Sequence, residues 1–74
     1  MTREQLPIAD VAALGKAIRA RRKQLGLTQT ELAAAARTSL RFVSEVERGK
    51  ETARLAGVFR LLDALGLSLW TQAR

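Results

Sequence analysis

Five side chains between residues 39 and 45 offer the most pointed chemistry in this 74-residue chain: Ser39, Leu40, Arg41, Ser44 and Glu45. These are types that recognise base edges in duplex DNA. An arginine fork can donate to O6 and N7 of one guanine, which discriminates by ~1–3 kcal/mol. The hydroxyls of Ser39 and Ser44 can reach bases or phosphates, and Leu40 can touch a thymine methyl group. Glu45 can accept from cytosine N4, or it can pair with Arg41 or Arg48 instead. Flanking cations suit the phosphate backbone, Arg48 and Lys50 first and then Arg19 and Arg54. Thr28 and Gln29 are phosphate ligands of another kind if they open a helix, where free N–H groups and the positive dipole end face an anion. Each of these residues, taken singly, is also an ordinary surface side chain. The elements that hold them decide.

Those elements lie in residues 27–49, LTQTELAAAARTSLRFVSEVERG. Thr28 sits at an expected N-cap, where its hydroxyl can accept from an unpaired N–H. Glu31 follows three residues later and completes a capping-box pattern. Leu32, Ala33 and Ala36 then recur at helical spacing. Arg37 and Thr38 interrupt, and Ser39 can cap a second helix. Phe42, Val43, Val46 and Glu47 share one face of it; Ser39, Leu40, Arg41, Ser44, Glu45 and Arg48 share the other. Gly49 stands where a helix-ending glycine belongs. Two short helices around a tight break, with one mixed polar face outward, form a helix-turn-helix pattern.

Charge supports a nucleic-acid reading. There are 13 Lys+Arg against 7 Asp+Glu, a net charge of +6, and Lys16, Arg19, Arg21, Arg22 and Lys23 crowd one helix. A solvated basic surface is the plainer account, but beside a helix-turn-helix pattern a phosphate-binding surface is the better one. Catalysis is not expected. The chain has no His and no Cys, the serines lack an evident base, and no metal-ligand spacing occurs. No cofactor and no metal are expected, and no apolar run approaches the ~20 residues of a membrane span.

The chain divides into a loose arm over residues 1–7, a helical domain over 8–66 and a tail over 67–74. Helix one is expected to start at Asp10 or just after Pro7, with Val11, Leu14, Ile18 and Leu25 as its buried stripe and Gly26 as its end. Arg22 falls on that stripe, and Glu47 falls on the buried stripe of the third helix. A charge facing a core needs a partner, so Arg22 and Glu47 are expected to pair as a structural ion pair beneath the reading helix. Thr52 can cap a fourth helix with an apolar stripe of Leu55, Val58, Phe59, Leu62 and Leu65, Leu61 beside it, and Gly66 at its close. Residues 67–72, LSLWTQ, alternate as a strand does. No second strand pattern exists to satisfy it. The expected partner is the same strand of a second copy, through Leu67, Leu69 and Trp70. The alternative is a frayed tail packed on helix four.

The segments Leu25-Gly26-Leu27-Thr28-Gln29, Glu31-Leu32-Ala33 and Ser44-Glu45-Val46-Glu47-Arg48-Gly49 resemble the Cro and phage-repressor, or Xre-like, helix-turn-helix family. The likeness runs from about Leu14 to Leu67. It implies an all-α, four- to five-helix lambda-repressor-like domain, a Gln29 that contacts DNA backbone, and the same joining of Arg22 to Glu47. One departure is Arg37, where the family often has glycine; a left-handed arginine would cost on the order of 1 kcal/mol. The short C-terminal β-strand after such a domain resembles the HipB-type antitoxin repressors, whose dimers are joined that way. The resemblance therefore implies a homodimer on an inverted-repeat operator, reading helices about 34 Å apart; the absence of cysteine fits a reducing cytoplasm, so a cytoplasmic, nucleoid-associated protein is expected. The resemblance also implies a repressor that partners a HipA-like toxin kinase. A stand-alone regulator is the alternative, and a protein-interaction module that does not read DNA is a third.

Overall fold

Every helix leaves N–H groups at its start and carbonyls at its end without intrahelical partners, and this chain meets that requirement by short-range means at three of its four helix starts and at all four ends among the described residues. The computed structural model describes residues 7–73, which form four helices. These are α1 (Val11–Gln24), α2 (Gln29–Ala35), α3 (Leu40–Glu47) and α4 (Leu55–Ala64). Asp10 caps α1 by accepting from the Ala13 N–H at 2.8 Å. At α2 the capping box is complete: Thr28 Oγ1 accepts from Glu31 N at 3.1 Å, and Glu31 Oε1 accepts from Thr28 N at 2.8 Å. Ser39 Oγ accepts from Phe42 N at 3.0 Å and so starts α3. The fourth start differs from expectation. Arg54, not Thr52, is the N-cap of α4, and no side chain caps it. Thr52 stands two residues too early, because the chain turns through a Lys50 carbonyl to Ala53 N–H bond before the helix begins.

All four helices end in the same way. After α1 the Gly26 and Leu27 N–H groups return to the Lys23 and Arg22 carbonyls, a Schellman closure. Equivalent pairs close α2 at Arg37 and Thr38, α3 at Gly49 and Lys50, and α4 at Gly66 and Leu67. The motif needs a positive φ at its first residue beyond the cap. Three of the four ends use glycine, and α2 uses Arg37 at φ 56°. The turn of the helix-turn-helix thus keeps the closure its neighbours have, with an arginine in a conformation that suits glycine better.

α3 lies at the centre, packed on α1, α2 and α4, while α2 also meets α4. Ile18, Leu32, Val43, Leu61 and Leu65 are fully buried, joined by Ala33, Ala36, Val46, Val58 and Leu62. Burial of each large aliphatic side chain contributes roughly 1.5–3 kcal/mol. Two glycines allow close packing here. A Cβ on Gly15 would overlap the Val46 carbonyl oxygen and lie 3.0 Å from that of Glu47, so α1 and α3 touch backbone to backbone. A Cβ on Gly57 would lie 2.5 Å from the Phe42 ring, which is seated on α4 at that point.

Some expected core positions lie outside. Val11, the first residue of α1, and Leu25, its C-cap, are exposed. On α4 the buried face is Val58, Leu61, Leu62 and Leu65; Leu61 is 0% exposed, while Phe59 is 47% exposed and Leu55 lies open. The expected arm falls largely on residues 1–6, outside the described residues, as does Arg74. The expected strand at 67–72 does not form within the single chain, and residues 67–73 have no regular secondary structure. A lone strand has no ladder partner, and the described residues supply no other strand. Leu67 packs against the core, and Leu69 and Trp70 are exposed.

Candidate nucleic-acid interface

Beneath the outer face of α3 lies a buried ionic group. Arg22 Nε donates to Glu47 Oε2 at 2.7 Å and Arg22 Nη2 to Glu47 Oε1 at 3.0 Å, a two-pronged pair joining α1 to α3. Their side chains are only 9% and 2% exposed. Arg22 Nη1 donates to the Leu27 carbonyl at 2.8 Å. The third partner of Glu47 is Gln29, whose Nε2 donates to Oε1 at 3.1 Å. Burial pushes the Glu47 carboxyl up, but the bonds from Arg22 and Gln29 outweigh it and leave the group below its ordinary range. The bond to Glu47 likewise raises Arg22. No buried side-chain N or O among the described residues lacks a partner.

This arrangement redirects Gln29. It opens α2 as expected, but its amide turns inward to Glu47 and is not held toward solvent. In the first turn of α2 the Glu31 N–H is taken by Thr28 Oγ1, while the N–H groups of Gln29 and Thr30 have no partner within the helix and can face an anion. Gln29 therefore links that anion-facing end to the buried pair.

The outer face of α3 carries Leu40 and Arg41, both exposed, with Ser44 and Glu45 half-buried and Arg48 exposed at its end. Ser39 is exposed while its oxygen serves the cap, which leaves its O–H free to donate. Glu45 is not free: its Oε2 accepts from Lys50 Nζ at 3.0 Å and lies 3.5 Å from Arg41 Nε. The Lys50 bond, then the charges of Lys50 and Arg41, hold its carboxyl below the usual range despite some desolvation. Arg19, Thr28, Lys50 and Arg54 are exposed around these elements.

Two other arginines are committed elsewhere. Arg21 Nε donates to the Leu65 carbonyl at 3.0 Å, and Arg60 Nε to the Ala36 carbonyl at 3.2 Å. Each cation thereby sits on the C-cap carbonyl of a helix, where the dipole favours positive charge. Arg22, with Nε, Nη1 and Nη2 all bonded, is thus removed from the pool that composition alone would assign to phosphates, while Arg21 and Arg60 are each anchored through Nε. Thr38, Thr52 and Arg60 line a shallow cleft with Ser39, Lys50 and Arg54, between the starts of α3 and α4. Sequence reasoning missed Thr38 and Arg60 here; Arg60 comes beside Thr38 and Ser39 only when α4 packs on the turn before α3. No cluster of His, Cys, Asp and Glu among the described residues could hold a metal, and no described helix is long and apolar enough to cross a membrane.

A short capped helix, a left-handed turn and a second helix braced from below with its polar face outward define a helix-turn-helix DNA-binding domain. The chain belongs to the helix-turn-helix family HTH_3, which matches residues 18–69. It is 43% identical over 61 residues to the HTH-type transcriptional regulator y4mF of Sinorhizobium fredii (strain NBRC 101917 / NGR234), covering 82% of this chain and 76% of that protein. It is thus a DNA-binding transcriptional regulator. Among solved structures it is similar to the HipB fold of the HipA–HipB–O2–O3 complex and of the HipB–O4 20mer complex. In both, the TM-score is 0.86 at 28% identity, covering 93% of this chain and 97% of that one. The clp gene regulator ClgR from C. glutamicum is also similar, with a TM-score of 0.67 and 38% identity over 85% of this chain and 80% of that one.

Proposed function

We infer that the chain is a dimeric, sequence-specific repressor and the antitoxin subunit of a HipBA-like operon, which it autorepresses at an inverted repeat. The observation that carries the reading is the similarity to HipB over 93% of this chain and 97% of that one. ClgR matches less of both chains at a lower TM-score. It supports the alternative, a stand-alone regulator without a toxin partner. In the favoured reading α3 enters the major groove, Arg41 addresses a guanine, and Ser39, Leu40 and Ser44 contact neighbouring bases. The first turn of α2, Arg48, Lys50, Arg19 and Arg54 contact phosphates. Residues 67–72 pair with the same segment of a second copy, which would satisfy their backbone groups and cover Leu69 and Trp70.

The test is a fluorescence-anisotropy titration with DNA from upstream of the protein's own gene, beside a scrambled duplex, at two salt concentrations. Tight binding of the upstream duplex alone, at two chains per site and weakening steeply with salt, is expected. Equal weak binding of both duplexes would refute sequence reading. Co-expression with the neighbouring gene product then separates the two regulators: a stable complex supports the antitoxin, and its absence supports the stand-alone protein.

A further inference from the structure

On the outer face of α3 one acid stands among the groups that would meet DNA. Glu45 lies one helical turn after Arg41; its Oε2 accepts from Lys50 Nζ at 3.0 Å and lies 3.5 Å from Arg41 Nε, an ion pair. Its side chain is 20% exposed, against 85% for Arg41 and 44% for Lys50, so the carboxylate lies beneath the two cations. Lys50 is also fixed through its backbone, because its N–H donates to the Glu45 carbonyl at 3.0 Å in the closure of α3. A guanidinium engaged at Nε still offers Nη1 and Nη2, the edge that fits guanine O6 and N7. An ammonium with one donor engaged keeps two for a phosphate.

We propose that Glu45 is a specificity-determining residue that acts through Arg41 and Lys50, bracing them as an internal substitute for phosphate, and does not itself read a base. The proposal rests on the reading above that α3 enters the major groove. Towards an arbitrary duplex, the carboxylate neutralises part of the cationic face and adds a negative charge near the backbone, which lowers affinity. Towards a duplex with guanine opposite Arg41, the brace already restricts a long side chain that would otherwise lose rotamer freedom on binding. Glu45 therefore widens the gap between right and wrong sequences from both sides.

The experiment measures anisotropy for the best duplex selected from a random library and for its scrambled form. It compares the unaltered chain with Glu45→Gln, Arg41→Ala and the double variant. Circular dichroism melts confirm that each remains folded. For Glu45→Gln the scrambled duplex is expected to bind about threefold to tenfold tighter, and the ratio between duplexes to fall by about tenfold. In the Arg41→Ala background, the same substitution is expected to leave that ratio within about twofold, since the group it braces is gone. An equal loss of selected-duplex affinity in both backgrounds, with scrambled binding unchanged, would mean that Glu45 reads a base and would overturn the proposal. So would an equal gain for both duplexes, the signature of plain charge removal. If the unaltered chain bound both duplexes alike, the base-reading role of α3 would fall first, and the proposal with it.

Discussion

Removing the Glu47 carboxylate should be among the most destabilising single changes available to this domain. Glu47→Ala would delete three hydrogen bonds, at 2.7 and 3.0 Å from Arg22 and 3.1 Å from Gln29. It would leave the Arg22 guanidinium, 9% exposed, with the Leu27 carbonyl as its remaining contact. Truncating one partner of a buried pair typically costs about 3–5 kcal/mol, mostly because the stranded charge stays buried. For a chain of 74 residues, total stability is expected to be roughly 4–11 kcal/mol on the usual per-residue scale. The single change would thus remove much of the margin. The assay is urea unfolding followed by circular dichroism, on Arg22→Ala, Glu47→Ala and the double variant. A coupling energy of about 2 kcal/mol or more is expected, because each single change already strands the other partner. Replacing both together, as Arg22→Met with Glu47→Leu, should change stability by only ~1 kcal/mol, since the desolvation of both charges disappears with their attraction. Additive single effects, with coupling below about 0.5 kcal/mol, would refute the reasoning.

The same pair sets a pH response. Glu47 is held below its ordinary value of 4.5 in the fold, and Glu31 and Glu45 are lowered too, by the Thr28 backbone N–H and by Lys50. The stability linked to these groups is therefore complete above about pH 4.5 and is lost as pH falls through the folded values. Urea midpoints should decline on acidification, and less steeply in Glu47→Gln. Arg37→Gly should raise stability by about 0.5–1 kcal/mol. It relieves a left-handed arginine at φ 56°, an advantage partly offset by the freer unfolded chain. No change in the urea midpoint would mean that the Arg37 side chain recovers that strain elsewhere. Gly15→Ala should destabilise by about 1–3 kcal/mol because its methyl group would overlap the Val46 carbonyl, despite alanine's better helix propensity. A higher melting temperature would show that α1 can slide away from α3.

Residues within a few positions of one another were read most fully from sequence. Thr28 with Glu31, and Ser39 with Phe42, form caps whose partners are three residues apart. The helix ends at Gly26, Gly49 and Gly66 obey the same short-range rule. Arg22 and Glu47 were also legible, although 25 residues separate them, because each was a charge on an otherwise apolar stripe and neither could be buried alone. The face of α4 was not legible. Leu55, Val58, Phe59, Leu61, Leu62 and Leu65 spread over more than one side of the helix, so the pattern alone favoured Phe59 where the packing chose Leu61.

The sequence by itself determined four short helices, their caps, the polar outer face of the third and the need for one buried ion pair. Periodicity and capping are properties of neighbouring residues. Tertiary structure alone decided the rest. Gln29 turns to Glu47, Arg21 and Arg60 serve the carbonyls of Leu65 and Ala36, and Gly15 lets α1 press on α3. It also left residues 67–73 without a ladder. Each of these depends on groups brought together from distant parts of the chain, or on a partner strand that the described residues do not contain. A side-chain donor goes to whichever acceptor packing places within about 3 Å, and no spacing rule within a helix names that acceptor.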